Sequence, residues 1–222
     1  RKTATEQMRL RWDAADPGYS SHPYLTAKGI RPNGTRLDRG HVLVPLVDTD
    51  GALRSLQSID PTGHKLFEAD LPVTGAMFVI GQPIAQSTAP VLVCEGFATG
   101  ASLHEATGRT VVVAFNSGNL VKVAERLAAA HPTTRWLVAG DDDRHKPTNV
   151  GRDMAMQAAR ILRCDAIFPV FPDGNDGTDF NDMAAHYGAQ ALRNLVAEGT
   201  RPDDALPPTT EGAGPPLLTA VD

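Results

Sequence analysis

Cysteine is nearly missing from this chain: Cys94 and Cys164 are the two present in 222 residues. Neither belongs to a C-x-x-C pair, so this stretch excludes both a Cys₄ zinc site and a disulfide framework. Each lies in or beside an apolar run, where the expected role is that of a small buried hydrophobe. The lack of disulfides fits a reducing cytoplasm. No apolar stretch approaches the roughly 20 residues of a membrane span, and no signal peptide is visible. A net charge of -5 lacks the positive excess of a dedicated duplex-binding protein. The first residue is arginine, and the chain is expected to be a piece of something longer.

What is present is ordinary globular material, 41% hydrophobic and 21% charged, long enough for one large domain or two small ones. The charge is unevenly placed. From Arg1 to Gly40 there are eight Lys/Arg against four Asp/Glu, which leaves thirteen against twenty-two for the remainder. A basic front beside an acidic body suits a protein that guides a phosphate backbone towards bound cations.

Residues 3–15 read as a helix that Asp16-Pro17-Gly18 breaks, and HPYLTAKGI reads as a second, ending near Gly29. Short β-rich runs follow at 41–48, 52–60 and 64–70, separated by Asp50-Gly51 and Pro61-Thr62-Gly63, with one more strand at 76–81. After Pro83 the rhythm becomes α/β. Apolar strands at 90–96, 109–115, 135–141 and 166–172 alternate with helices near 99–106, 120–130, 151–162 and 180–198. That pattern predicts a parallel sheet covered on both faces. The expected organisation is a helical lead-in with a β-rich lobe over 1–86, an α/β domain over 87–200, and a Pro-rich linker or disordered tail over 201–222.

Three acidic clusters fall where strands end: Glu95, the run Asp141-Asp142-Asp143, and Asp179 with Asp182. Ligands of open parallel sheets bind outside the carboxyl ends of the strands. Carboxylates crowded there repel each other unless divalent cations neutralise them, which suits Mg²⁺ or Mn²⁺. In an extended segment Asp141 and Asp143 share a face, while Asp142 points away, towards a helix terminus or solvent. Gly96 after Glu95 permits a sharp strand-to-helix turn and close approach of backbone to ligand. Such a set matches two-metal phosphoryl transfer, in which the ions lie roughly 3.5–4 Å apart.

The stretch from Pro90 to about Val196 resembles the Toprim domain, shared by DNA primases, type IA and II topoisomerases and certain nucleases. The resemblance rests on Glu95-Gly96 after one strand and Asp141-x-Asp143 after a later one. EGFATGASLHEATG, GDDDRHKPTNVGRDMAMQAA and DFNDM look most like plasmid and phage primases. YLTAKGI and HVLVPLVDTDGALRSLQSIDPTGHKLF resemble the β-rich lobe that precedes Toprim in those enzymes. The fold class implied is α/β, a Toprim domain whose parallel sheet is flanked by helices, preceded by a smaller β-rich primase lobe.

The resemblance implies a primase catalytic core that makes short RNA primers on single-stranded DNA by nucleotidyl transfer, with two Mg²⁺ or Mn²⁺ ions and no zinc in this stretch. Glu95 would be an acid/base or metal-proximal group. Asp141 and Asp143 would be catalytic metal ligands, joined by Asp179 and Asp182. Lys65, Gly96 and Asn181 would contact nucleotide or template. Thr99 and Asn181 stand where replicative primases carry acids, as in the plasmid and phage branch. Implied partners are the template, ribonucleoside triphosphates, and a fused or associated helicase or relaxase.

Two alternatives share these residues: a metal-dependent nuclease, and a non-catalytic strand-binding module. A topoisomerase would need a tyrosine nucleophile, and Tyr19, Tyr24 and Tyr187 have no such setting. Further candidates for phosphate contact are Lys146, Arg152, Asn116 and Ser117, then Arg36, Arg39 and Arg54. His104 and His145 read as surface residues.

Overall fold

Thr3 starts the first helix, α1 (Ala4–Ala14), through a reciprocal box with Glu6 that satisfies backbone donors the helix cannot. The computed structural model describes residues 2–200, so the expected tail at 201–222 lies outside the described residues. Helix α2 (Pro23–Lys28) has proline at its first position and ends at Gly29, whose φ of 64° is a left-handed stop. Strands β1 (Arg36–Asp38), β2 (His41–Val47), β3 (Leu53–Ile59) and β4 (Lys65–Phe67) then form an antiparallel sheet in that order.

β2 is buried on both faces. Leu43 meets Met8 of α1 on one side, while Val42, Val44 and Leu46 join the main core on the other. Arg11 fastens α1 to this sheet, its guanidinium bonding Asp38 at 2.7 Å, Ser58 at 3.1 Å and also Glu68.

The second sheet runs β5-β7-β6-β8-β9, built from β5 (Phe78–Ile80), β6 (Val91–Cys94), β7 (Val111–Val113), β8 (Trp136–Ala139) and β9 (Ala166–Ile167). β5 is antiparallel to β7 and the other pairs are parallel. Alternate residues of β6 and β8 point to opposite faces. Leu92, Cys94, Leu137 and Ala139 pack under α3 (Phe97–Thr107), α6 (Phe180–Tyr187) and α7 (Ala189–Glu198). Val91, Val93 and Val138 pack under α4 (Ser117–Ala130) and α5 (Val150–Leu162).

Several expectations need correcting. The strand at 76–81, counted with the front unit, hydrogen bonds into the second sheet as β5. The helix expected over 180–198 is two helices, because Gly188 adopts φ 78° and ψ 171° between α6 and α7. The strand expected at 166–172 is confined to Ala166–Ile167, since Pro169 and Pro172 cannot donate to a ladder. Cys94 is fully buried, whereas Cys164 is half-buried beside the second core. No helix among the described residues is long and apolar enough to cross a membrane.

The two sheets share one apolar core: Tyr24, Leu25, Val44 and Ile59 of the front unit pack in the same cluster as Phe97, Phe180 and Leu192. Val47 and Met77 exchange backbone bonds of 2.7 and 2.8 Å across the junction. Buried Asn119 completes it, accepting from Gly75 N–H at 2.5 Å and donating to Ala76 and Ala114 carbonyls at 2.9 and 2.8 Å. Asn119→Ala strands these buried backbone groups and is expected to lower stability by about 3 kcal/mol, read from urea unfolding. A loss below ~1 kcal/mol would show that water replaces the amide.

Candidate active site

The carboxyl ends of β6 and β8, adjacent strands at the middle of the second sheet, carry Glu95 and Asp141. The chain turns at Gly96 straight into α3, which starts without a side-chain cap. Glu95 is half-buried, and its carboxylate accepts the backbone N–H of Ser117. That N–H is aimed by Asn116, which caps α4 by accepting from Asn119 N–H at 2.8 Å. Asn116 therefore forms the turn, and Ser117 supplies the contact. Burial raises the Glu95 pKa above the usual carboxylate range, and Asp143 pushes it the same way.

Asp141 is the most perturbed acid of the group. Its Oδ1 is sealed from solvent and has no hydrogen-bond partner. Burial, followed by the charges of Glu95, Asp179 and Asp143, lifts its pKa to about 8. Asp179 caps α6 by accepting from Asp182 N–H at 2.8 Å, and burial raises its pKa as well. Capping and membership of the cluster are thus both true of Asp179. The structure brings Glu95, Asp141 and Asp179 into one electrostatic group at one sheet edge.

Other expected members take different places. Asp143 reaches the cluster, but Lys146 holds its Oδ2 at 2.9 Å and Asn149 Oδ1 accepts from its N–H at 3.0 Å. Asp182 turns its carboxylate to Thr178 N–H at 3.1 Å, and its charge acts on Asp179. Asn181, expected to touch nucleotide, is buried instead. Its amide donates to the Lys28 carbonyl at 2.7 Å and to Ser102 Oγ at 2.9 Å, which ties α6 to α2 and α3. Asp142 points away as expected, accepting from Asn149 Nδ2 at 2.6 Å beside Arg152 at the start of α5.

Arg152 stacks over Phe168 at 4.0 Å, Arg36 over Trp12 at 4.4 Å, and Arg39 and Arg54 lie near Asp38 and Asp48. His104 bonds the Arg109 carbonyl and His145 the Asn175 carbonyl.

The front lobe supplies the opposite charge. Lys65 stands over the cluster within Coulombic reach of Asp179, Asp141 and Glu95. Its pKa is lowered by desolvation and by Lys28, with the three acids pulling it back up. Lys28 acts on Asp179 in turn. Sequence reasoning missed Lys28, although a lysine just before the glycine that ends α2 is held at a fixed helix terminus. It also dismissed Tyr24, whose buried hydroxyl lacks a partner and lies near enough to Asp179 for that charge to raise its pKa further.

A sealed carboxylate oxygen with no donor, ringed by carboxylates, fits an oxygen-seeking divalent cation. Among the described residues, however, no three acidic, histidine or cysteine side chains are already gathered in a metal-holding group. Lys146, which is 65% exposed, is paired with one Asp143 oxygen.

Residues 90–190 match the Toprim domain family, which makes that stretch of the chain a Toprim domain. Two Escherichia coli proteins named DNA primase TraC are 39% identical over 162 residues and 41% identical over 157, covering 69% and 67% of this chain. The chain spans 15% and 11% of their lengths.

Among solved structures, the primase fragment of the bacteriophage T7 primase-helicase superimposes with a TM-score of 0.61 at 16% identity, covering 83% of this chain and 77% of that one. A DnaG primase catalytic domain bound to single-stranded DNA gives 0.53 at 18% identity, covering 88% and 68%. At these identities the likeness speaks for the fold, an α/β Toprim domain behind a β-rich lobe as in primase cores.

Because folding raises the Asp141 pKa, the metal-free native state is favoured while that group is protonated. The benefit is full below about pH 4 and is lost as pH rises through about 8. Asp141→Asn is therefore expected to melt close to wild type at pH 4 and about 3 °C or more higher at pH 9, in chelator, by differential scanning calorimetry. Equal melting at both pH values would show that the carboxylate is not repelled.

Proposed function

We propose that this chain is the catalytic core of a DNA primase, a nucleotidyltransferase that joins ribonucleotides on a single-stranded DNA template. The observation that carries the reading is the sealed, unpartnered Asp141 oxygen among Glu95, Asp143 and Asp179, faced by Lys65 and Lys28 from the front lobe. Acids on one wall and amines on the other suit a substrate that is itself a polyanion approached by cations.

Asp141 and Asp179, with Asp143 once Lys146 lets go, would hold a pair of Mg²⁺ or Mn²⁺ ions beside Glu95, and those ions would neutralise charge developing on phosphoryl oxygens. Lys65 and Lys28 bind the triphosphate electrostatically and orient it across the cleft. The 3′-oxygen of the growing primer bonds to the α-phosphorus as the bond to pyrophosphate breaks. Glu95, made more basic by burial, takes the hydroxyl proton. Ser117 N–H keeps that carboxylate in place, and Asn181 fixes the backbone of Lys28 opposite it. The basic front, with eight Lys/Arg within residues 1–40, attracts the template, and a helicase or relaxase module would act beside the core.

The test is incubation with single-stranded DNA, labelled ribonucleotides and Mg²⁺ or Mn²⁺. Short oligoribonucleotides are expected from wild type, with at least a ~100-fold loss in Asp141→Asn and Glu95→Gln. Template shortening without synthesis would make the protein a nuclease. Binding that is indifferent to both substitutions, with no product, would make it a strand-binding module.

A further inference from the structure

Of the seven phenylalanines in the chain, Phe67 is the one whose ring stands in solvent, at 36% exposure. Phe78, Phe97, Phe115, Phe171 and Phe180 are buried, and Phe168 is half-buried. Phe67 closes the short edge strand β4, two residues beyond Lys65, so both side chains leave the same face of the strand. Lys65 is in reach of Asp179, Asp141 and Glu95, which makes that face the cleft wall.

The ring is held at its position. Phe115, at the carboxyl end of β7, meets it nearly edge-on, with centroids 6.0 Å apart and planes at 72°. Phe115 is itself constrained, with φ at 74°, a left-handed conformation that L-residues with side chains avoid, and its N–H donates to the Glu95 carbonyl at 2.7 Å. Backbone strain of this kind persists where surrounding structure enforces it, and it gathers at ligand sites. Here it turns one aromatic ring towards a second that folding leaves uncovered.

We propose that Phe67, braced by Phe115, is the stacking platform for an unpaired nucleobase whose phosphates lie over Lys65. The inference rests on the nucleotidyl-transfer reading of the same cleft and assigns it a base subsite. Stacking on an aromatic side chain accepts any base, because every base has a π-face. The subsite therefore holds a base without reading its identity, while the lysines hold its phosphates. Leu66, which points to the opposite face, takes no part.

The test compares wild type with Phe67→Leu, which keeps apolar contact with Phe115, and Phe67→Trp, which keeps a π-face. Thermal melts confirm that each is folded. Binding is measured for a short oligothymidylate against an abasic strand of equal length, and for ATP against inorganic tripolyphosphate with Mg²⁺. Phe67→Leu is expected to weaken one base-bearing probe by about 5- to 100-fold while its base-free counterpart is unchanged, and Phe67→Trp to restore binding. Loss with oligothymidylate assigns the platform to the strand, and loss with ATP assigns it to the nucleotide.

Equal loss for base-bearing and base-free probes, or no loss with any, overturns the proposal while the nucleotidyl-transfer reading stands. If wild type retains no probe and makes no oligoribonucleotide, that reading fails and this one with it.

Discussion

A carboxylate buried among carboxylates is the constraint around which this protein is built. Asp141 Oδ1 is sealed without a donor, and the acids around it raise the cost of its charge rather than lower it. A structural role would have placed a donor there, since buried polar groups in folded proteins are nearly always paired. The neighbouring groups moderate the repulsion without removing it. Ser117 N–H bonds Glu95, Lys146 bonds Asp143, and Lys65 and Lys28 stand off across the cleft. Such local conflict with folding is what a functional site looks like in an otherwise consistent structure.

The rest of the fold can hold that conflict because the lobes cannot drift apart. Their apolar core is continuous, and polar contacts along its margin set the spacing between acids and amines. Asn181 fixes the carbonyl of Lys28, and Glu105 receives Arg31 N–H at 2.8 Å and Asn33 Nδ2 at 2.6 Å. Arg11 binds the front sheet to its own helix. The cleft is thus defined by side chains far apart in sequence, with acids on one wall and amines on the other.

Much of this was legible before the structure. Apolar strands ending in Glu95 and Asp141 announce a parallel sheet with acids at its carboxyl edge, and the one-residue spacing turns Asp142 outward to Asn149. Less legible was whatever depends on partners distant in sequence. Asn181 sits in an acidic motif and reads as a ligand, yet its partners Lys28 and Ser102 lie 153 and 79 residues away. Lys28 was overlooked for the same reason. β5 follows the front strands in order, but its pairing partner β7 comes later in the chain. Gly188 splits a helix that periodicity alone would run together, because no proline marks the break.

The most direct test of the central claim is calorimetric titration of Mn²⁺ into the chain at pH 7 in buffers of different ionisation heat. With the Asp141 pKa at about 8, the site is largely protonated, and a cation that takes its oxygen must release that proton. Mn²⁺ is expected to bind with close to one proton released per chain, a release lost in Asp141→Asn. Binding whose heat is independent of buffer, or no binding at all, would contradict it.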